Sequence, residues 1–162
     1  MLNIVNEVLD ISLIETGNTT LNEKKTHLNS LLDEIYSSFK PIIKKDISFL
    51  IQKGLTDLQA TVLTDEIKLR QILINLISNA VKFTDNGFIK AGYSLKNNNL
   101  EFFIEDSGIG IDPLSHDKIF NRFHKAESER QVFYDGVGLG LSICKANVEM
   151  LNGKIWVKSA PD

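Results

Sequence analysis

The segment DEIKLRQILINLISNAVKFT, from Asp65 to Thr84, decides the fold of this chain. At 100° per residue its apolar side chains share one sector, and three polar side chains fall within about 60° of one another on the opposite edge. The apolar sector holds Leu69, Leu73, Leu76, Ile77 and Ala80, and the polar edge holds Asn75, Asn79 and Lys82. The pattern predicts a long amphipathic helix that Asp65 opens and that ends near Phe83.

The polar edge of this helix has the chemistry of a metal and phosphate site. An asparagine oxygen is a neutral, hard ligand for Mg²⁺, which keeps most of its coordination for water and substrate phosphates. A lysine ammonium neutralises phosphate charge. A solvated helix face is the alternative that this helix alone leaves open.

Shorter elements are predicted on both sides of the helix. Before it, we expect a strand near Thr26, a helix capped by Asn29 and ended by Pro41, and strands over Ile47–Gln52 and 60–63. After it, we expect a hairpin of strands Gly87–Lys96 and 100–105, a long loop over 108–135, a helix over 136–151 and a last strand over 154–159. These elements indicate an α/β fold.

Composition narrows the class of protein. The chain has 162 residues, 43% hydrophobic and 24% charged, which fits one globular domain and excludes a disordered or fibrous protein. A net charge of −3, without a concentration of Lys and Arg, argues against a nucleic-acid partner. No apolar run approaches the ~20 residues that a membrane helix needs, so we expect no membrane contact and a cytoplasmic location. The single cysteine, Cys144, excludes an intrachain disulfide and a cysteine-based zinc site.

A second candidate segment is FFIEDSGIGI, residues 102–111. It sets Asp106 at the end of an apolar strand, directly before Gly108 and Gly110. A buried carboxylate can accept a hydrogen bond from an exocyclic amine, which distinguishes adenine from guanine, and glycines let backbone approach a flat ring closely. An ordinary turn is the alternative.

A third segment, GVGLGLS over residues 136–142, opens a predicted helix with glycines. The free backbone N–H groups and the positive end of the helix dipole suit a polyphosphate. The segment lacks the Gly-Lys-Ser/Thr ending of a Walker loop and the strand that directly precedes a dinucleotide fingerprint.

Together and in this order, the segments resemble the catalytic and ATP-binding domain of sensor histidine kinases of two-component systems, in the superfamily shared with DNA gyrase, mismatch-repair and heat-shock chaperone ATPases. The resemblance covers about residues 26–159. It rests on an N box from Asp65 to Thr84, a first glycine box over 106–111, an F box (IFNRF) over 119–123 and a second glycine box over 136–140. It implies a two-layer α/β sandwich, in which a mixed, mainly antiparallel sheet packs on three helices, with a lid over ATP.

The resemblance implies ATP and Mg²⁺ as ligands and gives roles to individual residues. Asn79, with Asn75 nearby, would coordinate Mg²⁺, Lys82 and Lys125 would contact phosphate, and Asp106 would bind the adenine amine. Asn75, Lys82 and Lys125 are the catalytic candidates. The remaining implied nucleotide or lid contacts are Phe83, Gly108, Gly110, Ile111, Phe120, Phe123, Gly136, Gly138, Leu139, Gly140 and Leu141.

Asn75 separates two activities within the superfamily that the chain resembles. Its hydrolysing members carry a glutamate at this position, four residues before the metal-binding asparagine, where it activates water. Without that base the γ-phosphate is kept for a histidine imidazole, so the resemblance implies a protein histidine kinase. A nucleotide-sensing module that transfers no phosphate is the main alternative, and an ATPase of the chaperone or topoisomerase type is a further one.

The family's phosphoacceptor histidine is followed by an acidic residue and shortly by a proline. His27, His116 and His124 lack this context. We therefore expect the chain to phosphorylate a histidine on the dimerisation domain of a parent kinase, and a response regulator receiver domain to be a further partner. Weak self-association of the chain through its first helix is also expected.

The resemblance also divides the chain. Residues 1–17 look like the end of a dimerisation helix, 18–25 like a linker, and 26–162 like the ATP-binding domain. The family continues beyond the position of Asp162 with a final strand, so we expect this chain to be a fragment of a longer protein. The parent could be anchored in a membrane.

Overall fold

The computed structural model describes residues 20–124 and 138–161. Glu23–Ile109 forms one compact unit, here called the first unit, and the described residues from Gly110 onward belong to a second unit. The predicted helix over residues 1–17 and the middle of the predicted lid lie outside the described residues.

The first unit alternates strands and helices. In chain order it contains β1 (Lys24–His27), α1 (Leu28–Phe39), β2 (Ile47–Gln52), β3 (Thr61–Thr64), α2 (Glu66–Phe83), β4 (Gly87–Lys96) and β5 (Asn99–Asp106). The predicted bounds of β2 and β4 are confirmed, and α2 begins after Asp65, whose carboxylate accepts a hydrogen bond from the Lys68 amide at 3.1 Å. The predicted start of α2 at Asp65 is therefore confirmed, and Asp65 serves as its cap.

The strands form two hydrogen-bonded sheets. β1 pairs with β3 in antiparallel register, with Lys24 opposite Thr64. In the second sheet β4 lies between β2, its parallel partner, and β5, its antiparallel partner. The β4–β5 hairpin turns through Asn97 and Asn98, which both have positive φ, as a tight two-residue turn requires. The predicted mixed, mainly antiparallel arrangement is confirmed, although the strands are divided between two ladders.

The core of the first unit joins α2 to the three-stranded sheet. Ile47, Ala80 and Ile89 are buried together, and the partly buried Phe49 and Ile104 pack against them. The residues that α2 buries are Leu69, Ile72, Leu73, Ile77 and Ala80. The predicted apolar sector is correct except that Ile72 is buried and Leu76 is only half-buried. Removal of these side chains from water is the main force that fixes α2 against the sheet.

The predicted cap of α1 is wrong. α1 begins at Leu28, and the Nδ1 atom of His27 accepts the hydrogen bond from the Ser30 amide at 3.2 Å. Asn29 is buried inside the helix, where its side-chain oxygen accepts a hydrogen bond from the Tyr93 hydroxyl at 2.6 Å. Its amide nitrogen donates to the Leu55 carbonyl. The Tyr93 hydroxyl is protonated at neutral pH and so donates this bond, and burial raises its pKa further.

The second unit contains a 3₁₀ helix, Pro113–Ser115, and α3, Gly140–Met150. Residues 154–159, predicted as a strand, alternate between half-buried and exposed but pair with no strand among the described residues. The predicted strand is therefore absent from the described residues, because the ladder that defines a strand needs a partner. Within the part of the chain that the structure describes, no helix has the length and apolar character that a bilayer crossing requires.

Candidate functional site

The predicted site residues divide between the two units. The first unit carries the polar edge of α2 and the end of β5. The second unit carries the F box and the described part of the second glycine box, which precedes and opens α3. Lys125 and Gly136 lie outside the described residues.

Three candidate side chains lie along one edge of α2. The helix over Glu66–Phe83 places Asn75, Asn79 and Lys82 on the shared edge that their spacing predicts, and each is half-buried. The Lys82 ammonium lies 5.0 Å from the centre of the Phe83 ring, so its charge is held beside an aromatic face at the end of the helix. The edge therefore offers two amide oxygens and one cation at the surface of the first unit.

The end of α2 is bonded to the first glycine box. The Ile109 amide donates to the Phe83 carbonyl at 3.3 Å. A Cβ atom at Gly108 would lie 2.5 Å from that carbonyl oxygen and 2.8 Å from the Asp106 carboxylate. Only glycine fits between them, so the two predicted boxes form one local structure.

Asp106 is the last residue of β5. One oxygen of its carboxylate accepts a hydrogen bond from the Gly108 amide at 2.9 Å, which fixes the side chain at the turn. The expectation of a buried carboxylate is wrong, because Asp106 lies at the exposed end of the strand beside Glu105, which is also exposed. An exposed carboxylate held by its own turn remains able to accept a hydrogen bond from a ligand.

Ser107 is a residue to which the sequence argument gave no role. Its hydroxyl accepts a hydrogen bond from the Phe88 amide at 2.8 Å and lies 3.2 Å from the Asn86 carbonyl, to which it donates. Gly87 has a φ of +102°, and the space for a Cβ there is already filled by the Ser107 hydroxyl. Ser107 thus ties the turn after α2 to the end of β5 and holds Asp106 in place. In the sequence, the only local indication of this role is that a hydroxyl-bearing residue stands between Asp106 and Gly108.

In the second unit, the start of α3 differs from the other described helix starts. At the other three starts, a side-chain atom of the capping residue accepts a hydrogen bond from a backbone N–H; these residues are His27, Asp65 and Asp112. The side chain of Leu139, which precedes α3, makes no such bond. The Ser142 hydroxyl donates to the Leu139 carbonyl and therefore does not serve as a cap. Leu139 therefore supplies no side-chain cap to α3, and the glycine-rich start of this helix differs in this respect from the other three starts.

The F box is bonded to the second glycine box. The Phe123 amide donates to the Gly138 carbonyl at 3.0 Å. Gly138 has a φ of +76°, and a Cβ there would lie 3.1 Å from the Phe123 backbone. The conformation and the close approach both favour glycine.

The two F-box aromatic residues have different surroundings. Phe120 is half-buried and lines a cavity of about 380 Å³, together with the α3 residues Ser142 and Lys145. Phe123 is 69% exposed and has a φ of +58°. A bulky residue in the left-handed region is held there by its surroundings, here the bond to Gly138.

The remaining candidates of the second unit occupy backbone positions with clear constraints. Gly110 has a φ of +69°, and the Ala160 carbonyl fills the space in which a Cβ would lie. The Ile111 amide donates to the Ser159 hydroxyl at 2.9 Å. Leu139 is buried, Gly140 is the first residue of α3, and Leu141 is half-buried.

Comparison with known proteins identifies the family. A family model described as "Histidine kinase-, DNA gyrase B-, and HSP90-like ATPase" matches residues 64–162, and the chain belongs to this family. Within it, the chain is similar to the solved catalytic domain of histidine kinase ThkA, at 33% identity and a TM-score of 0.71 over 83% of this chain and 86% of that one. The chain is accordingly a catalytic domain of the sensor histidine kinase type, and its family supports ATP as the nucleotide.

Longer relatives extend the comparison. Autoinducer 2 sensor kinase/phosphatase LuxQ of Vibrio vulnificus is 37% identical over 98% of this chain, which spans 19% of the length of LuxQ. Full-length ShkA, solved in complex with AMPPNP, is 26% identical with a TM-score of 0.78, over 98% of this chain and 34% of ShkA. ThkA has also been solved in complex with response regulator protein TrrA.

Proposed function

We propose that this domain binds ATP with Mg²⁺ and transfers the γ-phosphoryl group to a histidine imidazole on the dimerisation domain of a longer parent kinase. The observation that carries the proposal is the chemistry of the α2 edge, which has Asn75 where the water-activating glutamate of the hydrolysing relatives would stand. Transfer to histidine is therefore favoured over an ATPase of the chaperone or topoisomerase type.

The residues of α2 fit a magnesium nucleotide. The described residues contain no group of three His, Cys, Asp or Glu side chains that could hold a metal ion. Mg²⁺ needs few protein ligands when a nucleotide supplies phosphate oxygens, so the amide oxygens of Asn79 and Asn75 suffice. When bound, the metal neutralises charge that develops on the phosphates. Lys82 adds a positive charge at the same edge, and Lys125 is a further candidate for the terminal phosphate.

The other proposed nucleotide contacts rest on the resemblance to the family. Asp106 would accept a hydrogen bond from the adenine amine, and Gly108 would let the base approach the backbone closely. The glycine-rich start of α3, with Gly138 and Gly140, would receive the phosphates, as the resemblance to the family implies. The remaining nucleotide or lid contacts that the resemblance implies are Phe83, Gly110, Ile111, Phe120, Phe123, Gly136, Leu139 and Leu141.

No base is available on α2 to activate water. Between Ile67 and Phe83 the helix contains no carboxylate. Glu66, in its first turn, is bound to Arg70 at 3.0 Å and to Lys24 at 3.1 Å. An incoming imidazole needs no deprotonation by the domain, since its neutral nitrogen carries a free electron pair. The domain then has to position the nucleotide and exclude water.

The partners of the domain follow from this reaction. The phosphoacceptor would belong to the parent's dimerisation domain, of which residues 1–17 would be the last helical part, with 18–25 as a linker and 26–162 as the catalytic domain. The complex of ThkA with TrrA supports a response regulator receiver domain as the next acceptor. The parent would act in the cytoplasm, with a membrane anchor possible outside this chain, and weak homodimerisation would bring two copies together.

Calorimetric titration with ATP, with and without Mg²⁺, tests the site. Binding should prefer ATP to GTP and weaken without the metal. Asp106→Asn should lower the affinity for ATP by about 30-fold, since a hydrogen bond to a charged group contributes roughly 1.5–3 kcal/mol. A folded Asp106→Asn variant that binds ATP as tightly as the original chain would contradict the assigned adenine contact.

Phosphotransfer separates the proposal from the nucleotide-sensing alternative. The chain should transfer radiolabelled γ-phosphate to a separately purified dimerisation domain of the parent, and not to that domain with its phosphoacceptor histidine replaced by alanine. ATP binding without transfer would favour the sensing module. Asn75→Glu should introduce slow ATP hydrolysis if the residue at position 75 decides between hydrolysis and transfer to histidine.

A further inference from the structure

A small cavity of about 210 Å³ lies in the first unit where α1 ends and β2 begins. Lys40, Lys44 and Lys45 line it, and no carboxylate does. Lys44 is paired with Asp85 at 2.6 Å, whereas Lys40 and Lys45 have no carboxylate within ion-pair distance among the described residues. The chain as a whole has a net charge of −3, whereas the residues that line this cavity carry a positive charge.

The wall of the cavity is aromatic. The rings of Tyr36 and Phe49 are stacked, with centres 5.0 Å apart and an angle of 25° between their planes. The Lys40 ammonium lies 5.2 Å from the centre of the Tyr36 ring. Both residues are half-buried, so part of each ring is packed against the protein and part of its apolar face is open to the cavity.

The floor of the cavity is rigid. Ile47 is buried in the core cluster with Ala80 and Ile89, and Phe49 packs against the same cluster. The apolar floor of the cavity is therefore set by the core, whereas its three lysines lie on the connection between α1 and β2. Preformed apolar pockets with charged rims are typical of anchor positions in protein interfaces.

The volume selects the class of ligand. Sites for small organic molecules usually measure about 300–1,000 Å³, so this cavity is too small for a nucleotide. It is large enough for one apolar side chain. We propose that the cavity is a docking site for an acidic segment of a partner protein, which inserts one apolar or aromatic side chain against Tyr36 and Phe49 and pairs its carboxylates with Lys40 and Lys45.

Such docking is expected to be weak and sensitive to salt. Exposed ion pairs each contribute little, and one anchor side chain fills only a small area. The attraction is screened over about 10 Å at 0.1 M salt, so affinity should fall as salt is added. The site does not depend on bound nucleotide, because none of its residues belongs to the ATP-binding boxes.

The probe is a fluorescently labelled, acetylated peptide, Glu-Glu-Phe-Glu-Glu, titrated with the full chain and followed by anisotropy. Lys45→Glu should weaken its binding by about tenfold, because one attraction becomes a repulsion. Lys25→Glu is the matched control: Lys25 is an exposed lysine on β1, and the change in net charge is the same. This control should change the affinity by less than about twofold.

Two further measurements locate the contact and identify its chemistry. Backbone amide shifts in NMR spectra should change at Tyr36 and Phe49 when the peptide is added. The peptide Glu-Glu-Gly-Glu-Glu should bind much more weakly, because it lacks the anchor. Equal loss of binding in Lys45→Glu and Lys25→Glu would overturn the proposal in favour of non-specific charge. Binding to phosphatidylserine vesicles, but not to the peptide, would overturn it in favour of a lipid surface.

Discussion

α2 and α3 begin in opposite ways. At α2, the carboxylate of Asp65 accepts a hydrogen bond from the Lys68 amide, and only 4% of Asp65 is exposed. Glu66 adds a negative charge in the first turn. At α3, Leu139 offers no side-chain acceptor and the first turn carries no acid. α2 uses its own acidic residues to cap its N-terminus and to complement its dipole, whereas α3 has neither a side-chain cap at Leu139 nor an acid in its first turn. The acidic start of α2 therefore contributes to stability, and the start of α3 lacks that contribution.

Gly138→Ala should give the largest effect and attack the α3 side of this contrast. Alanine at a φ of +76° costs about 1–2 kcal/mol, and its Cβ would crowd the Phe123 backbone. The start of α3 should shift, and ATP affinity should fall by about 30-fold in calorimetry. Gly153→Ala is the control, because Gly153 lies after α3 and has no positive φ. An equal loss in both variants would contradict the specific role of the α3 start.

Asp65→Ala tests the α2 side. Loss of the cap should lower the free energy of unfolding by about 1 kcal/mol, or the melting temperature by about 3 °C. The affinity of the folded protein for ATP should be unchanged. Asp65→Asn should recover most of the stability, since asparagine is also a good cap. A large loss of ATP affinity in Asp65→Ala, measured well below its melting temperature, would remove the distinction between the two starts.

Ser107→Ala probes the other end of α2, where the helix meets the first glycine box. Without the hydroxyl, the bonds to the Phe88 amide and the Asn86 carbonyl are lost, and Asp106 is held less firmly. ATP affinity should fall by about fivefold, which corresponds to the loss of roughly one hydrogen bond. Ser107→Thr keeps the hydroxyl and should retain the affinity. If the alanine variant loses stability but keeps its ATP affinity, Ser107 has no positioning role.

Glu66→Gln should give the smallest effect, and one that depends on pH. Hydrogen bonds from Arg70 and then Lys24 lower the pKa of Glu66 in the folded state. Its stabilising effect is therefore present above the unfolded-state pKa of about 4.3 and is lost as the pH falls through the lowered folded-state value. At pH 7 the variant should be less stable by about 0.5 kcal/mol in urea unfolding. A difference of the same size at about pH 2 would contradict an electrostatic origin.

The sequence predicted best what is decided locally. The bounds and cap of α2 follow from helical periodicity and from Asp65, and the β4–β5 hairpin follows from its asparagine turn. Asn29 failed as a cap because its partner, Tyr93, is far away in the chain, and a single sequence does not reveal such a pairing. Residues 154–159 failed as a strand for the same reason, since alternation does not supply a partner.

The candidate site could be predicted as a set of residue types more readily than as a geometry. The polar edge of α2 is visible in the spacing of Asn75, Asn79 and Lys82. The bond from Ile109 to Phe83 and the role of Ser107 depend on how α2, β4 and β5 pack. The exposure of Asp106 likewise depends on where β5 ends in the unit, which the sequence around it does not determine.

The parallel pairing of β2 with β4 has a consequence for synthesis of the chain. β4 is the only partner of β2 among the described residues, and β3 and α2 are made between them. During translation, the apolar strand Ile47–Gln52 leaves the ribosome before β4 and stays without its pairing strand until β4 has been made. An unpaired apolar strand is the kind of edge on which nascent chains aggregate. This interval is where we expect the chain to depend most on chaperones.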